Sequence, residues 1–146
     1  MEAIYYIKNG RDTTHLDNYP VTENISDFNK ILLLDGALNV DMEFVRHIFR
    51  WLDVWEVAVV FYHYNLMLED IADSYDREKI RDCIYDLRVP LYRDDIIFIR
   101  NCENSKLLLT EYEKEKSNYS NNMVALLRAL WKVKPFVLYL PGEMLK

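Results

Sequence analysis

Hydrophobic positions along this chain change their period several times, and each change marks a predicted element. Ala3 to Lys8 is rich in Ile and Tyr and stops at Asn9-Gly10, which predicts a strand closed by a turn-forming pair. From Arg11 to Asp27 the sequence is polar and carries Pro20, as a loop or a short edge element would. Lys30 to Leu34 is a short apolar run ending at Asp35-Gly36, the pattern of a buried strand that hands its last residues to a loop. Asp41 is placed to cap a helix in which Phe44, Val45, Ile48, Phe49 and Leu52 recur at three- and four-residue spacing while Glu43, Arg46 and Arg50 face elsewhere. Trp55 to Tyr64 is dominated by β-branched and aromatic residues and predicts a central strand buried on both faces.

Leu66 to Ala72 and Arg77 to Leu87 return to helical spacing, with Ile80, Cys83, Ile84 and Leu87 as an inward face. After Pro90, Asp95 to Arg100 predicts a third buried strand. Ser105 suits the cap of a short helix through Leu107, Leu108 and Tyr112, but Lys106 to Thr110 also suits an extended segment, and the pattern leaves both open. Asn121 to Lys132 predicts a helix with Val124, Leu127, Leu130 and Trp131 on one side, and Phe136 to Leu140 a last strand closed by Pro141-Gly142. Strands alternating with helices imply parallel pairing through right-handed crossovers, hence an α/β fold whose mostly parallel sheet is flanked by helices. Reactive groups in such a sheet gather at the C-terminal ends of the strands, here near Asp35, Tyr62 to Asn65, Arg100 to Cys102 and Leu140 to Glu143.

Composition narrows the picture. A chain of 146 residues, half of them hydrophobic, supports one ordinary core, so residues 1–146 are expected to form a single domain, with 1–28 as an N-terminal strand and loop extension and 29–143 as the α/β core. Three glycines and four prolines leave no room for a flexible linker. The net charge of −6 argues against a dedicated nucleic-acid binder and favours a protein partner, although Arg128, Lys132 and Lys134 form a local basic cluster that keeps modest nucleic-acid contact open. Cys83 and Cys102 are too few for a disulfide scaffold or a structural zinc site, which points to a reducing cytoplasm. Met1 to Tyr5 lacks the features of a secretory signal, and Val57 to Tyr62 is far shorter than the about 20 residues of a membrane helix. A cytoplasmic protein without membrane association is the expectation.

Candidate chemistry is sparse. His15, His47 and His63 lie on separate elements without metal-ligand spacing. Cys83, beside Ile80, Ile84 and Leu87, reads as a small buried hydrophobe and not a reactive thiol. No glycine-rich phosphate loop can be assembled. Glu111, Tyr112, Glu113, Glu115 and Tyr119 read as a solvated helix face or, alternatively, as a tyrosine-rich surface for a basic partner.

Leu33-Leu34-Asp35-Gly36-Ala37-Leu38 resembles the opening signature of the haloacid dehalogenase superfamily, and from Asn29 to Glu143 the order of elements is similar to the phosphatase domain of phage polynucleotide kinase. The passage Arg77 to Asn101, with Val89-Pro90 before the Ile96-Ile97-Phe98 strand, carries the likeness further. The resemblance implies a three-layer Rossmannoid fold, and it also exposes what is missing. Leu33 stands at the family's nucleophilic aspartate, which also binds magnesium, and only Asp35, the position of the general acid and base, survives. A leucine neither attacks phosphorus nor coordinates a hard cation. Phe61, Tyr62 and His63 occupy the place of the phosphate-binding Ser or Thr. Ala125 takes that of the lysine, for which Lys106 is a poorly spaced substitute, and Pro141-Gly142 that of the acidic metal pair.

Four losses together imply a pseudoenzyme with no catalytic, cofactor-binding or metal-binding residue, since each such group is worth several kcal/mol to phosphoryl transfer. An apolar strand ending in Asp-Gly before a helix also occurs in unrelated α/β folds. The expectation that follows from the resemblance is a protein-binding regulator, of the kind that phage-encoded inhibitors of host transcription represent, with host RNA polymerase as the candidate partner. Two alternatives stand beside it. One is an immunity protein or antitoxin that covers the basic active site of a nuclease toxin. The other is a residual magnesium-dependent nucleotide phosphatase in which Asp35, Glu143 and Asp94 or Asp95 rebuild the metal site.

Overall fold

Five strands share one sheet in the computed structural model of the chain, which describes residues 1–10, 19–63 and 65–142. They are β1 (Glu2–Lys8), β2 (Lys30–Asp35), β3 (Val57–Phe61), β4 (Tyr92–Arg100) and β5 (Val137–Leu140). The helices are α1 (Met42–Trp51), α2 (Leu68–Ile71), α3 (Ser74–Ile80), α4 (Glu103–Lys116) and α5 (Asn122–Val133). The spatial order is β1-β2-β4-β3-β5. β1 pairs with β2 and β3 with β5 in parallel, but β4 runs antiparallel to both of its neighbours. The α/β class and a sheet with four of five strands in one direction therefore hold, while the expected parallel pairing of the Asp95–Arg100 strand does not.

The two-residue side-chain period of the strands divides the core cleanly. Leu33, Val57, Val59, Ile97, Ile99 and Val137 point to one face, where α4 and α5 cover them with Leu108, Tyr112, Val124, Leu127 and Leu130, and the α2–α3 region adds Leu68, Ile80 and Leu87. Leu32, Leu34, Ala58, Val60, Ile96 and Phe98 point to the other, against Phe44, Val45, Ile48 and Phe49 of α1. Phe44 and Phe49 both meet Phe98 edge-on, with ring centroids 5.9 and 5.7 Å apart, an arrangement that suits the ring quadrupoles. Helices thus lie on both faces of the sheet. No helix among the described residues is long and apolar enough to cross a membrane.

Local chemistry sets the ends of the elements. The Asp41 carboxylate accepts the N–H of Glu43 and caps α1 as its position suggests. α4 settles the ambiguity around Lys106–Thr110 in favour of helix, but its cap is Cys102: Ser105 sits one turn in, accepts the Cys102 N–H at 3.1 Å and donates to the Arg100 carbonyl at 2.6 Å. α5 is tied to α3 through a fully buried carboxylate. Asp76 accepts the backbone N–H groups of Ser120 and Asn121 at 2.8 and 2.9 Å and the Ser120 hydroxyl at 2.9 Å, just before Asn121 caps the helix.

Several expectations are corrected. The predicted helix Arg77–Leu87 stops at Ile80, because Leu87 and Val89 give their carbonyls to Glu69 and Leu68 and must run extended beside α2 into Pro90. The expected strand Trp55–Tyr64 shortens to Val57–Phe61 and lies between β4 and β5, with β4 holding the centre. Trp131 is 39 % exposed and not part of the inward face of α5. The Glu111 to Tyr119 segment is a solvated face only in part: Glu113 is exposed and Glu111 half-buried, but Tyr112, Glu115 and Tyr119 are buried. Residues 11–18 of the predicted loop, with His15, and also Tyr64 and Glu143, lie outside the described residues.

Gly36 marks where the loops after β1 and β2 touch. A Cβ there would lie 1.8 Å from the Asn9 carbonyl oxygen, and Asn9 itself is left-handed at φ 52°. Gly36→Ala is therefore expected to destabilise the protein by at least about 3 kcal/mol, because backbone and not a flexible side chain must yield; urea denaturation of the variant against the parent measures it.

Candidate functional site

The edge of the sheet to which the signature residues lead holds a small cleft of about 160 Å³, lined by Ile7, Lys8, Asp35, Asp94, Asp95, Tyr112, Lys116 and Asn122. Because β4 is reversed, its N-terminal Asp94 and Asp95 come to the C-terminal end of β2, while Arg100 to Cys102 depart to the opposite edge. The expectation that all four strand termini gather at one edge fails for that segment. It was a direction that failed, and no periodicity carries direction.

Asp35 occupies the end of β2 with its carboxylate engaged. Oδ1 accepts the Ala37 N–H and the Asn9 side-chain amide, each at 3.0 Å, and Lys8 lies 3.8 Å from Oδ2. The Ala37 N–H first, then Asn9 and Lys8, hold this carboxyl below its ordinary range. These bonds close the same loop contact that Gly36 permits, so the Asp-Gly pair has a structural role of its own. Asp95 is gripped on both oxygens by Arg93 at 2.8 and 2.7 Å. Lys116 pairs with Glu113 at 2.9 Å and lies over the Tyr112 ring. The Asp94 carboxylate makes no hydrogen bond or ion pair among the described residues. No group of three or more His, Cys, Asp or Glu residues is arranged to hold a metal among those described.

The other positions singled out by the resemblance are packed. Leu33 is 4 % exposed and sits opposite Ile97 in the sheet core, and Ala125 is fully buried within α5. Phe61 belongs to a ring cluster, while Tyr62 and His63 are exposed beyond it. Lys106 is an exposed residue in the first turn of α4. Cys83 is half-buried; its thiol donates to the Ile80 carbonyl at 3.3 Å, and burial pushes its pKa up, away from thiolate reactivity. His47 lies 3.7 Å from Glu43 on the surface of α1. Two of the three residues of the basic cluster on α5 are engaged with other groups. Lys132 is bound by Glu115 at 2.9 Å and Glu111 at 3.4 Å, and Arg128 serves the buried Cys83 and Tyr119 region.

A larger groove, about 290 Å³, opens between the end of α5 and β5, lined by Tyr92, Leu130, Trp131, Lys134, Pro135, Val137 and Tyr139. Tyr92 and Tyr139 form its aromatic wall, with centroids 5.3 Å apart, and Phe61 packs against both rings at 5.2 Å (Tyr92) and 6.2 Å (Tyr139). Burial, and secondarily Tyr139, pushes the Tyr92 hydroxyl up to about 12, so it stays protonated. Phe136 and Tyr139 are 68 and 49 % exposed. The one charged group of the lining, Lys134, is exposed, lacks an ion pair among the described residues, and adopts φ 55° at the end of α5, a left-handed cap where glycine is the usual choice.

Sequence reading missed this groove. Phe136 to Leu140 announced a strand but not that the strand closes the sheet; the available signal was a lysine followed by proline where a helix normally ends in glycine.

The groove is held by a buried acid. Glu56, just before β3, accepts the Phe136 N–H at 2.9 Å, Asn104 at 3.2 Å and the Cys102 thiol at 3.5 Å, with Arg100 at 4.0 Å. The Phe136 N–H above all, helped by Asn104, Cys102 and Arg100 and opposed by burial, holds its carboxyl below the usual range. Comparison of the chain with protein-family models, curated proteins and solved structures gives no match.

A depressed folded-state pKa means a contribution to stability that is complete above the unfolded carboxyl pKa and lost as pH falls through the folded one. Glu56→Ala, which strands the Phe136 N–H and Asn104, is thus expected to cost about 3 kcal/mol at neutral pH. Its gap to the parent should shrink as pH falls below the carboxylate range, which denaturant titrations at a series of pH values would show.

Proposed function

We propose that this chain is a non-catalytic protein-binding domain that regulates its partner by docking through the groove between α5 and β5. The observation that carries this reading is the pair of exposed aromatic residues Trp131 and Tyr139 lining a preformed cavity, with exposed Phe136 next to it in the chain, since Trp and Tyr beside a pocket are the usual anchors of protein interfaces. The pseudoenzyme part is supported by what fills the phosphatase positions: Leu33 and Ala125 are core residues, and Asp35 is spent on closing a loop. Within this reading, inhibition of host transcription through RNA polymerase, as by the T-even phage factor that halts the enzyme on unmodified DNA, is the specific setting we favour. It rests on the resemblance of the Leu33–Leu38 segment and the element order. An antitoxin would need a face of unpaired carboxylates, whereas two of the three cleft carboxylates, Asp35 and Asp95, are paired with Lys8 and Arg93, and Asp94 alone has no ion pair among the described residues.

The test places a photo-crosslinking benzophenone side chain at position 136 of the full chain and exposes it to purified bacterial RNA polymerase. Expected is a crosslink to one polymerase subunit that Tyr139→Ala weakens about thirtyfold, the ~2 kcal/mol of an interface hot spot, at little cost to stability. A chain that crosslinks to nothing, or that releases phosphate from a nucleotide with magnesium, overturns the reading.

A further inference from the structure

The two edges of the sheet are treated differently. On β1, the outward-facing peptide groups of Ile4 are taken by Pro20 and Thr22: the Ile4 N–H donates to the Pro20 carbonyl at 2.9 Å, and the Thr22 N–H to the Ile4 carbonyl at 2.8 Å. β5 has no such cover among the described residues. Phe136 gives its carbonyl to Glu56 and Val57, and the parallel register Val57↔Val137 to Val60↔Leu140 turns the peptide groups of Leu138 to β3 as well. By the two-residue alternation of a ladder, the N–H and C=O groups of Val137 and Tyr139 are left facing outward. They border the same groove whose walls are aromatic and whose single charge is the Lys134 ammonium.

Resting on the protein-binding reading above, we infer that β5 receives an extended segment of a protein partner as an added strand. An apolar side chain of that segment fills the groove against Tyr92 and Trp131, and a neighbouring Asp or Glu pairs with Lys134. Charge selects this occupant. Lys134 is a cation with no ion pair among the described residues, in a chain of net charge −6, so the groove attracts a carboxylate where the chain as a whole repels one. A second copy of the chain would bring its own −6 to a strand of four residues. Pro135 and Pro141 flank that strand and confine pairing to a short segment, which bars an open-ended sheet while leaving a docking strand room. The left-handed conformation of Lys134 fits the same purpose, because a non-glycine residue held there carries strain that glycine would relieve.

Selection from a display library of random linear decapeptides on the full chain tests this, followed by amide hydrogen exchange with a synthetic copy of the enriched sequence. Expected are peptides that place an aromatic or aliphatic residue beside Asp or Glu, and that protect the Val137 and Tyr139 amides. Lys134→Glu should weaken them about tenfold. Lys134→Gly should lose affinity while gaining thermal stability, an outcome that misfolding cannot imitate. Tyr139→Pro, which removes one outward N–H at an edge position that tolerates proline, should abolish binding. No enriched peptide, basic peptides, unprotected Val137 and Tyr139 amides, protection by a single-stranded DNA oligonucleotide instead, or a dimer in sedimentation that Tyr139→Pro dissolves would each overturn the inference. If position 136 still crosslinks polymerase while those amides stay unprotected, strand addition falls and the protein-binding reading stands; if both fail, so does that reading.

Discussion

The Glu56 carboxylate ties together parts of the chain that are distant in sequence. It takes the N–H of Phe136 and the side chains of Asn104 and Cys102, while its backbone accepts the Arg100 N–H at 2.8 Å and donates to the Phe136 carbonyl at 2.9 Å. The foot of β3, the β4–α4 junction and the approach to β5 are therefore one hydrogen-bonded unit. A buried charge without these partners would cost several kcal/mol, so the arrangement is satisfied as a whole or not at all. Among the described residues β5 has only β3 as a strand neighbour, and this junction fixes where β5 begins and hence where Phe136 and Tyr139 face.

The reversal of β4 has the second-largest consequence. Had β4 run with its neighbours, Arg100 to Cys102 would stand beside Asp35 and the cleft would have a cationic floor. Reversed, it supplies Asp94 and the Arg93–Asp95 pair there, and sends Cys102 to the Glu56 junction. The same reversal places Tyr92, the first residue of β4, against Phe61 and Tyr139. Both cavities thus owe their linings to one strand direction.

Strand direction is also where sequence reading ran out. The apolar runs Lys30–Leu34 and Asp95–Arg100 located β2 and β4 because a strand buried on both faces must be apolar throughout, and Phe44, Val45, Ile48 and Phe49 located α1 because its stripe faces the sheet. Neither pattern encodes which neighbour a strand pairs with or in which sense. Helical spacing at Ile80, Cys83, Ile84 and Leu87 misled for a related reason: burial of Ile84 and Leu87 is met by an irregular chain whose carbonyls bond α2, and spacing alone does not separate the two. The Asp35-Gly36 pair was legible as a motif. That its carboxylate and its missing Cβ serve the contact with Asn9 was not, since Asn9 lies on another strand's exit.

The unequal edges join these observations to function. A sheet edge left open is a hazard for aggregation, and β1 shows that this chain covers an edge where it can, with the bonds of Ile4 to Pro20 and Thr22. Leaving β5 open by default would suggest an inert, charged margin. Instead the margin carries Trp131, Phe136 and Tyr139 in partial exposure, with a lysine in a conformation that glycine would hold with less strain. Exposed aromatic area and local strain both oppose stability, and they coincide with the outward peptide groups of one short strand, which have no partner among the described residues. Features that each cost stability, collected at one place and bounded by Pro135 and Pro141, are the ones that the proposed docking segment would offset, by burying the rings and completing the ladder.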